Sequence, residues 1–271
     1  MKGAAAIIIS LLFLCLAGCD EPYVKQPLAK EPDSLETGVN ATQIARIQEA
    51  IGVERSKFSF VITADTHQEY DHLRSLLSHL RSDSSNSFII VCGDITEKGD
   101  RNELKEYLRI MKEQPLPFVT AIGNREHRGT GRPTFEAMFG ARNQQFVAGG
   151  VRFILFDNVV TESEIPIEYD WLRTTLAAPH DGPTLLFMHV PPTDPSQLSP
   201  DHLHPLHEII AEHGPAHVFM GHTHAYIEGE FPDGTPFTTV PWPKSGEYVH
   251  VSVRSRGDLG IQVVTIDASP R

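Results

Sequence analysis

Basic residues are in short supply: 23 Lys and Arg face 35 Asp and Glu, giving a formal net charge of −12 over 271 residues. Broad, sequence-independent nucleic-acid binding takes its affinity from clustered Lys and Arg, so that class of partner is not expected. The deficit does not exclude a phosphorylated small molecule, because bound cations reverse the field inside one cleft. Thiols are scarce too. The three cysteines are Cys15, Cys19 and Cys92; the first lies in an apolar leader and the last in an apolar strand pattern. That leaves no disulfide framework and no thiolate set for a structural zinc. The apolar run from Ala4 to Ala17 is too short and too abruptly ended for a comfortable membrane span. Internal repeats are absent.

What the leader does contain is Lys2, the apolar run and then small residues, the order of a cleaved export signal. The segment Leu16-Ala17-Gly18-Cys19 resembles the lipobox of bacterial lipoproteins, in which the Cys becomes residue one and carries acyl chains. Several chains together give stable anchoring. The expected organisation is a lipoprotein signal peptide over 1–18, a solvated tether over 19–40 and a folded domain over 41–271, with lipidation at Cys19. The other readings are an ordinary secretory signal and an uncleaved anchor. Asp20 resembles the enterobacterial signal for inner-membrane retention, which implies a cell-envelope protein held at the inner membrane and facing the periplasm.

From Ala41 the spacing of Ile44, Ile47 and Ile51 predicts a short amphipathic helix. Apolar runs then predict strands over Phe58–Ala64, Phe88–Cys92, Phe118–Ile122, Val151–Phe156, Thr184–His189 and His217–Met220. Helical spacing separates the early ones: Leu73, Leu76, Leu77 and Leu80, then Leu104, Tyr107, Leu108 and Met111. Alternation of this kind favours an α/β layered fold. Shorter strands over Phe237–Val240, Tyr248–Val253 and Ile261–Ile266 are expected to complete a second sheet.

Polar residues follow the strands in a pattern. Asp65 and His67 come after the first, Asp94 after the second and Asn124 after the third; His189 closes its own strand, and His222 and His224 follow Met220. Ligands of open α/β sheets bind beyond the carboxyl ends of the strands, so five strand ends deliver metal-binding residue types to one edge. The ordered motifs are Asp65-Thr66-His67, Gly93-Asp94-Ile95-Thr96, Gly123-Asn124-Arg125-Glu126, His189 and Gly221-His222-Thr223-His224. Together they resemble the calcineurin-like metallophosphoesterase superfamily over roughly residues 58–266. The resemblance implies a four-layer α/β/β/α sandwich with two mixed sheets flanked by helices. It also implies two divalent or trivalent metal ions (Mn, Fe, Zn or Co), with Asp65, His67 and His224 on one, Asn124, His189 and His222 on the other, and Asp94 shared. Two cations roughly 3.5–4 Å apart acidify a bridging water and clamp phosphoryl oxygens, which suits hydrolysis of a phosphoester or phosphoanhydride.

One position departs from the superfamily. Most members carry His directly after the Asn; here Arg125 stands there and the nearest His is His127. A guanidinium is no acid near neutral pH, but it grips phosphate oxygens bidentately. Arg125 is therefore a candidate phosphate contact and His127 a candidate proton donor. The Gly-Asn-Arg-acidic run resembles the UDP-diacylglucosamine pyrophosphohydrolase branch, whereas Gly93 to Gly99 resembles the cyclic-nucleotide phosphodiesterase branch, leaving the substrate class open. The departure also keeps a second reading alive, a catalytically weak lipid-anchored receptor for a phosphorylated ligand. His202, His204 and His207 accompany Leu203, Leu206 and Ile210 and read as a solvated helix face. Trp242, between Pro241 and Pro243, fits either local packing or a pocket wall.

Overall fold

The computed structural model describes residues 34–52, 57–255 and 258–266. The expected signal peptide, Cys19 and tether residues 19–33 lie outside the described residues. The fold begins earlier than the expected boundary. Helix α1 spans Val39–Ile51, and both Val39 and Asn40 are buried. Asn40 donates through Nδ2 to the Thr120 carbonyl at 2.9 Å and accepts the Thr120 N–H at 3.1 Å. A solvated tether therefore cannot extend to residue 40, because this amide satisfies the backbone of a strand edge.

The first half runs β1 (Phe58–Thr63), α2 (Tyr70–Ser82), β2 (Asn86–Val91), α3 (Arg101–Met111), β3 (Phe118–Thr120) and α4 (Gly131–Phe139). In α2 all four leucines predicted at helical spacing are buried. Asp100 and Glu103 form a reciprocal capping box that fixes where α3 starts. The second half runs β4 (Gln144–Ala148), β5 (Val151–Leu155), α5 (Tyr169–Ala177), β6 (Thr184–Phe187), α6 (Pro200–His213), β7 (His217–Met220), β8 (Ile227–Glu230) and β9 (Pro236–Thr239). Strands β10 (Glu247–Ser255) and β11 (Asp258–Thr265) close the described fold.

Two mixed sheets result, in the orders β11-β10-β1-β2-β3 and β4-β5-β6-β7-β9-β8. Only β9 of the late strands joins the second sheet. β10 pairs antiparallel with β1, and β11 follows it, so the expectation that all three late strands complete a second sheet is corrected. The physical reason is that β1 is buried along its whole length and flanked on one side by β2; its other edge needs a partner.

The sheets face each other across a core containing Phe60, Phe88, Phe153, Phe187 and Phe219. Phe60 and Phe88 stack at 4.9 Å between centroids, and Phe187 and Phe219 at 5.3 Å. Residues of α2, α3 and α4 cover the outer face of the first sheet, and those of α5 and α6 cover the second. This is the expected four-layer arrangement. No described helix is long and apolar enough to cross a membrane.

Candidate metal centre

Each of the parallel strands β1, β2, β3, β6 and β7 ends by handing the chain to a loop with a polar residue, and these loops are tied to one another. Asp65 N–H donates to the Gly93 carbonyl and His67 N–H to the Asp94 carbonyl, both at 3.0 Å, continuing the β1–β2 pairing past the strands. Gly221 N–H donates to the His189 carbonyl at 3.0 Å. The His222 N–H then crosses to Asp65 Oδ2 at 2.8 Å, linking the two sheets at this edge.

The crowding demands unusual backbone. A Cβ on Gly123 would lie 2.3 Å from the Asp94 nitrogen, so only glycine fits there. Among the described residues, the non-glycine positions with positive φ are Asp65, His67, Asp94, His222 and His224. All five are predicted metal ligands. Left-handed backbone costs an L-residue on the order of 1 kcal/mol, and such strain gathers where function requires a geometry the chain would otherwise avoid.

The side chains form two trios. In Asp65, His67 and His224, and again in Asp94, His189 and His222, the donor atoms lie within 4.8 Å of one another. Asn124 joins the second: its Oδ1 is 2.9 Å from His189 Nε2 and 3.1 Å from His222 Nδ1. The seven residues expected as ligands are thus brought to one edge, with Asp94 grouped with His189 and His222.

The donor chemistry fits cations. His67 Nδ1 donates to the Thr96 carbonyl at 3.0 Å, and His189 Nδ1 donates to the Cys92 carbonyl at 2.8 Å. His222 is reversed, donating from Nε2 to Asp194 Oδ2 at 3.0 Å. In each ring the other nitrogen faces its trio. His67 Nε2 and His224 Nε2 stand 3.3 Å apart, and Asp65 Oδ1, 3.4 Å from His224 Nε2, is buried with no hydrogen bond. Converging lone pairs and a bare buried carboxylate oxygen are what a cation satisfies. Burial pushes the His189 pKa down, but Asp94 beside it at 3.3 Å outweighs that and raises it to about 10. Burial likewise works against ionisation of Asp94, yet His189 and the Arg125 N–H hold its pKa below the ordinary carboxylate value.

Glu126, quoted from sequence only as the acidic member of its motif, organises the loops. One carboxylate oxygen accepts the N–H groups of Asp94 and Gly123, each at 2.9 Å, and the other accepts the Thr96 N–H at 2.9 Å and hydroxyl at 2.8 Å. Complete burial, with Asp94 nearby, raises its pKa to about 7. A signal for it was present: an acid inside a glycine-flanked motif can be buried only if several donors converge on it.

Arg125 lies at the rim of the site. Its N–H donates to Asp94 Oδ1 at 2.8 Å, its Nε is 3.6 Å from Asp94 Oδ2, and its guanidinium meets Glu97 at 2.8 Å with a quarter of the side chain exposed. His127 does not serve as expected. Its Nε2 is 3.0 Å from Asp157 Oδ2, which also accepts from Arg142 at 2.9 Å, and its Nδ1 is buried with no partner. With no exposed ring nitrogen, it acts as part of a buried polar cluster. Trp242 stacks on His224 at 4.3 Å, so its packing role is at the site itself. Cys92 is a free, buried thiol packed between the sheets, its pKa pushed up by burial; the site uses only its carbonyl. His202, His204 and His207 lie on α6 and join neither trio.

The profile of the calcineurin-like phosphoesterase family matches residues 58–226. Among solved structures, the chain is similar to a dimetal phosphatase from Danio rerio (14% identity, 78% of this chain and 99% of that one, TM-score 0.59). It is similar too to a purple acid phosphatase from yellow lupin, Lupinus luteus (12% identity, 79% and 52% of the two chains, TM-score 0.60). A third is a 5′-nucleotidase from Candida albicans (14% identity, 78% and 51%, TM-score 0.56). At such identities the likeness is one of fold. No curated protein matches the sequence.

Proposed function

We propose that this chain, which belongs to the calcineurin-like phosphoesterase family and is a metal-dependent phosphoesterase, hydrolyses a small phosphorylated substrate at a centre for two metal ions. The observation that carries this reading is the pair of trios on one strand edge, each with acceptor atoms turned inward. Asp65, His67 and His224 would hold one ion and Asn124, His189 and His222 the other, with Asp94 shared between them. When bound, such ions supply Lewis acidity to phosphoryl oxygens and acidify water.

The chain's own residues do the rest. The Thr96 and Cys92 carbonyls and the Asp194 carboxylate fix which ring nitrogen His67, His189 and His222 turn inward. Glu126 locks the loops that carry Asp94 and Asn124. Arg125, already beside Asp94 and partly exposed, would exchange its Glu97 contact for substrate phosphate oxygens. The His127 ring is buried against Asp157, so we assign it to that cluster rather than to the departing group.

The enzyme reading is favoured over a metal-bearing receptor by the match to the phosphoesterase family over residues 58–226. Assay of the purified protein on mono-aryl and bis-aryl phosphates separates the two. Hydrolysis that depends on added manganese is expected; tight binding of these compounds with no turnover at any metal loading would contradict it.

We infer a membrane-tethered location from the leader, where Leu16 to Cys19 resemble a lipidation signal and Asp20 resembles an inner-membrane retention signal. The protein would then face the periplasm. Detergent partitioning of a Cys19→Ser variant tests this, with transfer to the aqueous phase expected; a variant that stays with the detergent refutes lipidation at Cys19.

A further inference from the structure

The two trios are oriented by different means. Around Asp65, His67 and His224 the hydrogen bonds come from backbone and the packing from a ring: the Thr96 carbonyl on His67, the His222 N–H on Asp65, and the Trp242 ring stacked on His224, with the Glu97 carboxylate no nearer than 3.6 Å to His67 Nδ1. Around the second group two of the supports are acidic side chains on loops. Asn124 Nδ2 donates to Glu162 Oε1 at 3.0 Å, which fixes the amide so that Oδ1 faces His189 and His222. Asp194 Oδ2 takes the Nε2 proton of His222 at 3.0 Å, leaving Nδ1 to turn inward.

Both acids are themselves held. Asp194 Oδ1 accepts the Ser196 N–H at 3.0 Å and its hydroxyl at 2.5 Å. Glu162 Oε1 also accepts from Arg128 at 3.2 Å. Glu162 lies between β5 and α5, and Asp194 between β6 and α6, so two separate loops of the second half converge on one ion position.

We propose that Glu162 and Asp194 are positioning residues for the second metal position alone, so that the two positions differ in what sets their affinity. This rests on the two-ion reading given above. An amide ligand presents oxygen or nitrogen with nearly equal ease, and an imidazole either nitrogen; a carboxylate that accepts the proton of one end selects the other. Loss of such a partner lowers metal affinity by roughly 10–100-fold. The first position, supported by main-chain atoms and Trp242, keeps its affinity.

Calorimetric titration of the metal-free protein with manganese tests the idea without measuring turnover. Wild type is expected to take two equivalents. Glu162→Ala and Asp194→Ala should each leave one equivalent unchanged and weaken the other by about 10–100-fold. Glu162→Gln, which retains a side-chain oxygen to accept from Asn124, should recover most of the loss. Ser196→Ala, which leaves the Ser196 N–H on the far oxygen of Asp194, should weaken the same equivalent by less than Asp194→Ala does. Unchanged binding in both alanine variants overturns the proposal, as does equal weakening of both equivalents, or a Ser196→Ala loss matching that of Asp194→Ala. A wild-type protein that takes a single equivalent instead defeats the two-ion reading itself, and this inference with it.

Discussion

Between the sheets, Phe60, Phe88, Phe153, Phe187 and Phe219 are fully buried, with the ordinary backbone of β-strands. A few residues further along, past the carboxyl ends of β1, β2 and β7, the chain carries buried carboxylates and left-handed aspartates and histidines. Phe60, Phe88 and Phe219 sit on these same three strands. Burying one aromatic side chain stabilises by about 2–3 kcal/mol, whereas each left-handed residue costs on the order of 1 kcal/mol. Strain at the rim is tolerable because the strands beneath it are clamped by an apolar interior, so stability and chemistry are separated along each strand rather than between domains.

That separation can be broken by crossed measurements. Phe153→Ala should lower unfolding free energy by about 3–5 kcal/mol while the folded fraction keeps its turnover. Asp94→Asn should reduce metal-dependent hydrolysis on the order of a thousandfold, or about 4 kcal/mol in the barrier, a loss that the folded fraction of Phe153→Ala does not share. Chemical denaturation and steady-state kinetics on both variants check the pair. If Phe153→Ala lowered kcat as much as stability, the interior and the rim would not be separable.

How far this division was legible in the sequence follows from its physics. The interior was readable because buried parallel strands are apolar runs, and the ligands because they follow directly where those runs end. β4 and β8 escaped: Gln144-Gln145-Phe146-Val147-Ala148 and Ile227-Glu228-Gly229-Glu230 are edge strands with mixed exposure and little apolar periodicity. Glu162 and Asp194 escaped for another reason. Their roles depend on loops meeting in space, and spacing along the chain carries no record of that. His127 stands near Asn124 in sequence, yet its ring is bound to Asp157, a partner that spacing does not reveal.

The opposite end of β7 sharpens the comparison by a smaller effect. His217 begins that strand, its Nε2 2.9 Å from the Thr238 hydroxyl, and burial pushes its pKa down from 6.5 to about 4. The folded state therefore prefers the neutral ring. Its contribution is complete above about pH 6.5 and is lost as the pH falls towards 4, by at most about 3 kcal/mol. Melting temperature against pH should decline more steeply for wild type than for His217→Gln across that window. Parallel curves would show that the buried imidazole does not titrate as described.

Smaller again is the effect at the rim of the site. Arg125→Lys keeps the charge but loses the planar fork, and should raise KM for aryl phosphates by roughly tenfold with a lesser change in kcat. An unchanged KM would leave the Arg125 side chain as a partner of Glu97 and nothing more.

The most direct test of the central claim is anomalous diffraction from manganese-soaked crystals of the protein. Two peaks are expected, one among Asp65, His67 and His224 and one among Asn124, His189 and His222, with the Asp94 carboxylate between them. A single peak, or none at this strand edge, would contradict the two-ion centre.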